Sequence, residues 1–247
     1  FLSVRNDGSY DQLVDLFGEK FASKFDNIAD FGFFTNKIFK LNNNIFLDEI
    51  REKSIAVNIN RDMIDLRFPA HEKLSISHED FEDKFAYWLT EKLNNGYQII
   101  FVPHIYSDIA AINSLLFKIN DSYLRRTDIL ISPYFMGDNG LQFALNIYNK
   151  VEFSVGMRFH LSVCCISLGF KVIPFVTYQK VSDLYNGLGL EEFLVNANKE
   201  SFLEDLNRVE NIISDSFAVK NKYQSVVEKT QKNNVNFLSK IFNEYFT

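Results

Sequence analysis

Residues 151–176 read VEFSVGMRFHLSVCCISLGFKVIPFV, and the fold is decided in this stretch. Val151, Phe153 and Val155 make an apolar strand that ends at Gly156. Met157-Arg158-Phe159-His160 then open a helix, LSVCCISLG, and a second strand follows over 171–176. A strand that runs through a glycine into a helix leaves backbone N–H groups and the positive end of the helix dipole at the turn, which suits an anion. Arg158 adds a planar fork for carboxylate or phosphate. His160 adds a side chain that trades a proton near neutral pH. An ordinary surface turn uses the same residue types, so the rest of the chain has to decide between the two.

Working outward, four more strands come into view: 1–4, SIAVNI at 54–59, YQIIFV at 97–102, and 129–132. Between them lie helices. Ser9 can cap YDQLVDLFGEKF, where Leu13, Leu16, Phe17 and Phe21 share a face. Ser77-His78-Glu79-Asp80 forms a capping box for DFEDKFAYWLTEKL, with Phe81, Phe85, Trp88, Leu89 and Leu93 on one side. Further helices are expected over 108–119 and in FMGDNGLQFALNIYN. Residues 27–44 read as a packed aromatic loop with short helical pieces, and 61–78 as a polar connection with His71 and His78 in solvent. Strands alternating with helices, and apolar without interruption, predict an α/β fold: a doubly wound, mostly parallel, Rossmann-like sheet covered on both faces. One domain is expected over 1–247, with a helical extension from about 201.

In such sheets ligands bind beyond the carboxyl ends of the strands. Arg5, Asn58, Asn60, His104, Asp108, Arg158, His160, Tyr178 and Lys180 all follow strand ends, so the chemically useful residues crowd one rim. His104 and Asp108 read either as an acid/base pair or as a structural histidine at a Pro-His turn. They are too few to hold a metal, and none is expected.

Composition bounds the partners. Of 247 residues 47% are hydrophobic and 15% aromatic, enough for a large core. The net charge of −6 argues against nucleic acid and anionic membrane, so an anionic ligand needs a local cluster of cations. Cys164 and Cys165 are adjacent in an apolar helix and read as buried small hydrophobes rather than a disulfide. A reducing compartment follows, and with no signal peptide or spanning segment in view a cytoplasmic location is expected. The chain opens inside a strand without methionine, so it is expected to be the later part of a longer polypeptide.

LSVRNDGSYDQL (2–13), IAVNIN (55–60), GYQIIFVPHIYSD (96–108) and above all SVGMRFHLSVCCISLGFKVIPFVTYQKV (154–181) resemble the polysaccharide pyruvyl transferase family. The resemblance implies the C-terminal half of a GT-B arrangement, its N-terminal domain lying outside this chain. It also implies transfer of the pyruvyl unit of phosphoenolpyruvate onto sugar hydroxyls of a cell-surface polysaccharide, as a cyclic ketal, with no cofactor beyond that co-substrate. The acceptor would be a glycan or lipid-linked sugar, met at the membrane periphery where glycans are assembled. Carried over by position, Arg5, Arg158, His160 and Lys180 would contact phosphoenolpyruvate, with Arg158 and His160 closest to the chemistry. His160 would be either a general acid/base or a phosphate ligand. The family often has Asp-Pro where this chain has Gln179 before the lysine.

Two other classes share many of these features: a nucleotide-sugar glycosyltransferase domain of GT-B type, and a non-catalytic glycan-binding domain. The C-terminal segment adds an expectation of its own. Phe237, Leu238, Ile241, Phe242, Tyr245 and Phe246 form a helical stripe that is expected to meet a preceding domain or a second copy of the chain.

Overall fold

A computed structural model describes residues 2–42, 45–69 and 75–246. His71 and the side chains of Tyr245 and Phe246 lie outside the described residues. The central sheet has six parallel strands: β3 (Ser54–Asn58), β4 (Gln98–Phe101), β5 (Ile129–Ile131), β6 (Phe153–Gly156), β7 (Val172–Val176) and β8 (Val195–Asn196). Their spatial order is β5-β4-β3-β6-β7-β8, every neighbouring pair parallel. Every residue of β3, β4, β6 and β7 is buried, as expected where helices cover both faces.

The covering helices fall into two sets. His78–Asn94 packs with Asp108–Leu116 and Phe202–Ser214, while Phe159–Leu168 packs with Gly137–Lys150 and the long helix Ser216–Phe246. The first set meets the sheet through an aromatic cluster, in which Phe85 lies edge-on to Phe175 at 5.2 Å and Phe81 contacts Phe202 at 5.1 Å. The capping box is formed as read: Asp80 N–H donates to Ser77 Oγ at 3.0 Å and Ser77 N–H to Asp80 Oδ2 at 3.2 Å.

Three expectations need correction. The first strand is not in the main sheet. β1 (Leu2–Arg5) pairs in parallel with β2 (Phe25–Ile28), a strand hidden in the region read as loop. Leu2 is half exposed and no residue of β1 is buried, so this strand cannot serve inside a sheet covered on both faces. The short β8 takes the sixth place instead. His78 is not in solvent: its ring lies edge-on to Phe68 at 5.1 Å and beside Glu82, and burial lowers its pKa.

The C-terminal helix closes back on its own domain through Val219, Tyr223, Val227, Thr230, Asn234 and Phe237, a buried stripe at helical spacing. Asn234 clasps the backbone of Ala29, accepting from its N–H and donating to its C=O, both at 2.9 Å. Beyond this clasp Leu238 and Phe242 are exposed. Replacing Asn234 by alanine leaves the Ala29 backbone groups buried without those bonds, and should cost about 2–4 kcal/mol in urea unfolding. A change within about 0.5 kcal/mol would show that the clasp does not hold the helix.

Candidate functional site

The strand order reverses between β3 and β6, and the crevice above that point is where open α/β sheets bind ligands. Gly156 lets the two strands close there. A Cβ on it would meet Leu161 Cδ2 at 2.5 Å and the Asn58 carbonyl oxygen at 2.6 Å. This contact fixes the turn, so the next side chain but one, Arg158, projects into a cavity of about 570 Å³. Arg5, His104, Arg158, His160, Tyr178 and Lys180 all line that cavity. Asn58, Asn60 and Asp108 are buried and do not line it.

Arg5 reaches the cavity although its strand belongs to the small sheet. The segment after β2 packs on the helix Phe159–Leu168, where Gly32 comes so close that a Cβ would lie 2.8 Å from Val163 Cγ1. Asp7 and Asp30, from the turns after β1 and β2, hold the guanidinium at 2.7 and 2.9 Å. Lys180, in the first turn of the helix Gln179–Leu188, pairs with Asp7 at 3.0 Å. His160 Nε2 lies 3.6 Å from Asp30 and is largely exposed. Arg5 and Lys180 both lie over the Phe159 ring, at 4.8 and 5.3 Å.

The carboxyls in this cluster are held ionised. The bond with His160 is the foremost cause that keeps Asp30 well below the carboxylate range; burial opposes it, and Gly32 N–H and Arg5 add to it. Burial pushes Asp7 up, but hydrogen bonds from Ser9, Lys180 and Arg5 outweigh it and the pKa falls.

Arg158 has its own acids. Its Nη1 meets Asp62 at 3.1 Å, and Nε and Nη2 face the fully buried Asp108. Burial would lower the arginine pKa, but these carboxylates outweigh it and raise it. Asp62 also accepts from Arg67, which lies over the Tyr178 ring at 4.6 Å and donates to Thr177 Oγ1 at 2.9 Å. Asp108 further accepts from the backbone N–H groups of His104 and Ile105, at 2.9 and 3.2 Å, and lies 3.5 Å from Asn58 Nδ2. Asn58 Oδ1 and both polar side-chain atoms of Asn60 are buried with no hydrogen-bond partner among the described residues.

The His104 imidazole does not bond the Asp108 carboxylate. It pairs with the Tyr148 hydroxyl at 2.6 Å, and the aspartate is spent on the loop backbone and Arg158. Burial, with Asp108 opposing and the Arg158 and His160 charges assisting, lowers His104 to about 4. Both cysteines are buried thiols, with burial raising their pKa. Among the described residues no group of three His, Cys, Asp or Glu is placed to hold a metal, and no helix is long and apolar enough to cross a membrane.

Reading the sequence alone missed Asp7, Asp30, Asp62, Arg67 and Tyr148. Asp7 had a local signal, two residues past Arg5 at a strand exit. Asp30 follows a strand that was read as loop, and Asp62 and Arg67 lie in the connection read as solvated.

Residues 1–179 match the family described as polysaccharide pyruvyl transferase. No curated relative matches the chain. Among solved structures, an O-GlcNAc transferase mutant from Thermobaculum terrenum is similar with a TM-score of 0.48 at 9% identity. That match covers 79% of this chain and only 36% of the other. The C-terminal domain of a glycosyl transferase group 1 family protein (LpcC) from Francisella tularensis gives a TM-score of 0.48 at 12% identity, over 80% of this chain and 96% of that one.

The depressed His104 makes stability depend on pH in a definite direction. The unfolded ring binds a proton near 6.5, the folded ring only near 4, so between these values the unfolded state holds more protons. Stability should therefore fall as pH drops from 6.5 to 4, by at most roughly 3 kcal/mol from this group. Urea unfolding across that window should show the fall, and His104→Gln should flatten it. An unchanged slope in the variant would place the proton uptake elsewhere.

Proposed function

The chain belongs to the polysaccharide pyruvyl transferase family, and from that premise we propose that it binds phosphoenolpyruvate at the cationic end of the cavity and passes its pyruvyl unit to two hydroxyls of a sugar. One observation carries this reading. Arg5, Arg158, His160 and Lys180, from three separate stretches of a chain with net charge −6, line one cavity. Phosphoenolpyruvate places a carboxylate and a phosphate on a three-carbon frame, so it calls for several fixed cations at such a spacing.

In this reading Arg5 and Lys180 turn from Asp7 and Asp30 toward the ligand's charges, and His160, the most exposed of the set, faces the reacting carbons. Arg158 is held in one orientation by Asp62 and Asp108, so its position costs no reorganisation when substrate arrives. The chemistry balances as follows. C3 of the donor takes a proton, a sugar oxygen bonds to C2, and its proton is released. The C2–O bond to phosphate then breaks with its electron pair, a second sugar oxygen bonds to C2, and phosphate leaves with that proton. His160 is placed to move the proton at C3. The family's setting suggests a cytoplasmic enzyme at the membrane periphery, working on a glycan or lipid-linked acceptor with no further cofactor. The exposed Leu238 and Phe242 suit contact with another domain or a second copy.

Phosphoenolpyruvate should raise the melting temperature of the chain and a nucleoside diphosphate should not. His160→Asn and Lys180→Ala should each remove most of that gain. Mass spectrometry of a glycan incubated with phosphoenolpyruvate and the full-length protein should show the ketal. Arg158→Lys should lower turnover by about 10²- to 10³-fold, because a single ammonium cannot keep both carboxylates and the ligand. Stabilisation by a nucleoside diphosphate alone would replace this reading with that of a nucleotide-sugar transferase.

A further inference from the structure

The cavity holds far more than a three-carbon phosphate ester. Its cations occupy one end; the other, between the loops that follow β4 and β5 and the helix Gly137–Lys150, is apolar and aromatic. Resting on the function proposed above, we propose that this second arm is the acceptor subsite and takes a single pyranose ring, stacked through its C–H face on Tyr134 and Phe135.

The wall is built rather than incidental. A Cβ on Gly140 would lie 2.1 Å from the Phe135 carbonyl oxygen, so the loop rests directly on the first turns of the helix. Phe135 is braced edge-on by Phe143 at 5.2 Å, and Tyr134 meets Tyr106 at 6.4 Å. Phe135 nevertheless leaves half of its surface in solvent and Met136 leaves 80%. Large apolar side chains fixed and open beside a charged site mark a place where a ligand lies.

The chemistry of the arm selects the occupant. Its polar groups include the His104–Tyr148 pair, one nitrogen and one hydroxyl already bonded to each other in the cavity lining. A sugar ring has one C–H face for aromatic side chains and a rim of hydroxyls for such a pair. The reaction demands the same placement. Both acceptor oxygens must bond to one carbon of a donor held by Arg5 and Lys180, so the ring that carries them has to lie inside the cavity, against the cations. The aromatic arm opens into the same cavity and offers such a ring a place beside the cations.

Saturation-transfer NMR on the chain, with methyl pyranosides of galacto, gluco and manno configuration as probes, tests this. With phosphoenolpyruvate present, at least one probe should receive saturation mainly on the C–H protons of one ring face. Tyr134→Ala and Phe135→Ala should each weaken its binding about fivefold, while both keep their stabilisation by phosphoenolpyruvate. Met136→Ala, at a position too exposed to disturb folding, should weaken it as well. Unchanged glycoside binding in all three variants overturns the subsite. Displacement of the glycosides from the arm by decanoate or uridine, with tighter binding of either, assigns the arm to a lipid chain or a base and overturns it too. Stabilisation by phosphoenolpyruvate with no binding of any glycoside removes the subsite and leaves the donor reading standing. Glycoside binding that the variants weaken, with no stabilisation by phosphoenolpyruvate, removes the donor reading alone.

Discussion

Arg158 lies at the point where the strand order reverses, between Asp62 on one side and the fully buried Asp108 on the other. A half-buried guanidinium is tolerable only because both acids are present, and Asp108 is tolerable only because it also collects two backbone N–H groups. The result is a chain of alternating charges, Arg67–Asp62–Arg158–Asp108, that joins the connection after β3, the turn after β6 and the loop after β4. Two of these segments line the cavity and the third braces Arg158 from behind, so losing one charge would leave its neighbours unpaired and loosen all three. The network positions the rim before any ligand arrives.

A second group of charges plays a different part. Arg5, Lys180 and His160 share Asp7 and Asp30, and their side chains are more open to solvent than Arg158. An entering anion competes with those two carboxylates for the same cations. The acids keep Arg5 and Lys180 together over the Phe159 ring, where two positive groups side by side would otherwise repel one another. Phe159 supports the arrangement from beneath, as its ring faces both Arg5 and Lys180.

The small β1–β2 sheet depends on parts of the chain far from it in sequence. Gly32 against Val163 docks it on the helix after β6, and Asn234 ties Ala29 to the C-terminal helix from the other side. Arg5 is therefore located by contacts more than 150 positions away, although it is among the first residues of the chain. The C-terminal helix supports the candidate site from a distance, because it holds the segment that presents Asp30.

The doubly wound sheet was legible from residues 151–176 and from the apolar runs at 54–59 and 97–102, because strands covered on both faces carry their burial in their own composition. Strand ends in such a sheet share a rim, which is why Arg158, His160, Lys180 and His104 could be gathered from the sequence without coordinates. Arg5 was gathered too, for a reason that did not hold: its strand lies outside the main sheet and reaches the cavity by docking. β2 and β8 escaped notice because one is only partly buried and the other has two residues, so neither has a run long enough to carry a period. The pairing of acids with cations was illegible for a deeper reason. Asp30 and Asp62 look like any surface aspartate in one dimension, and even for Asp7 and Asp108, which sit just past strand ends, only the folding of separate turns against each other gives each its partner. The sequence by itself determined which residues are apolar, where strands give way to helices, and so at which end of the sheet the candidate site residues gather. Only the tertiary structure decided which charge neutralises which, since a Coulomb interaction depends on distance in space and sequence separation does not specify it.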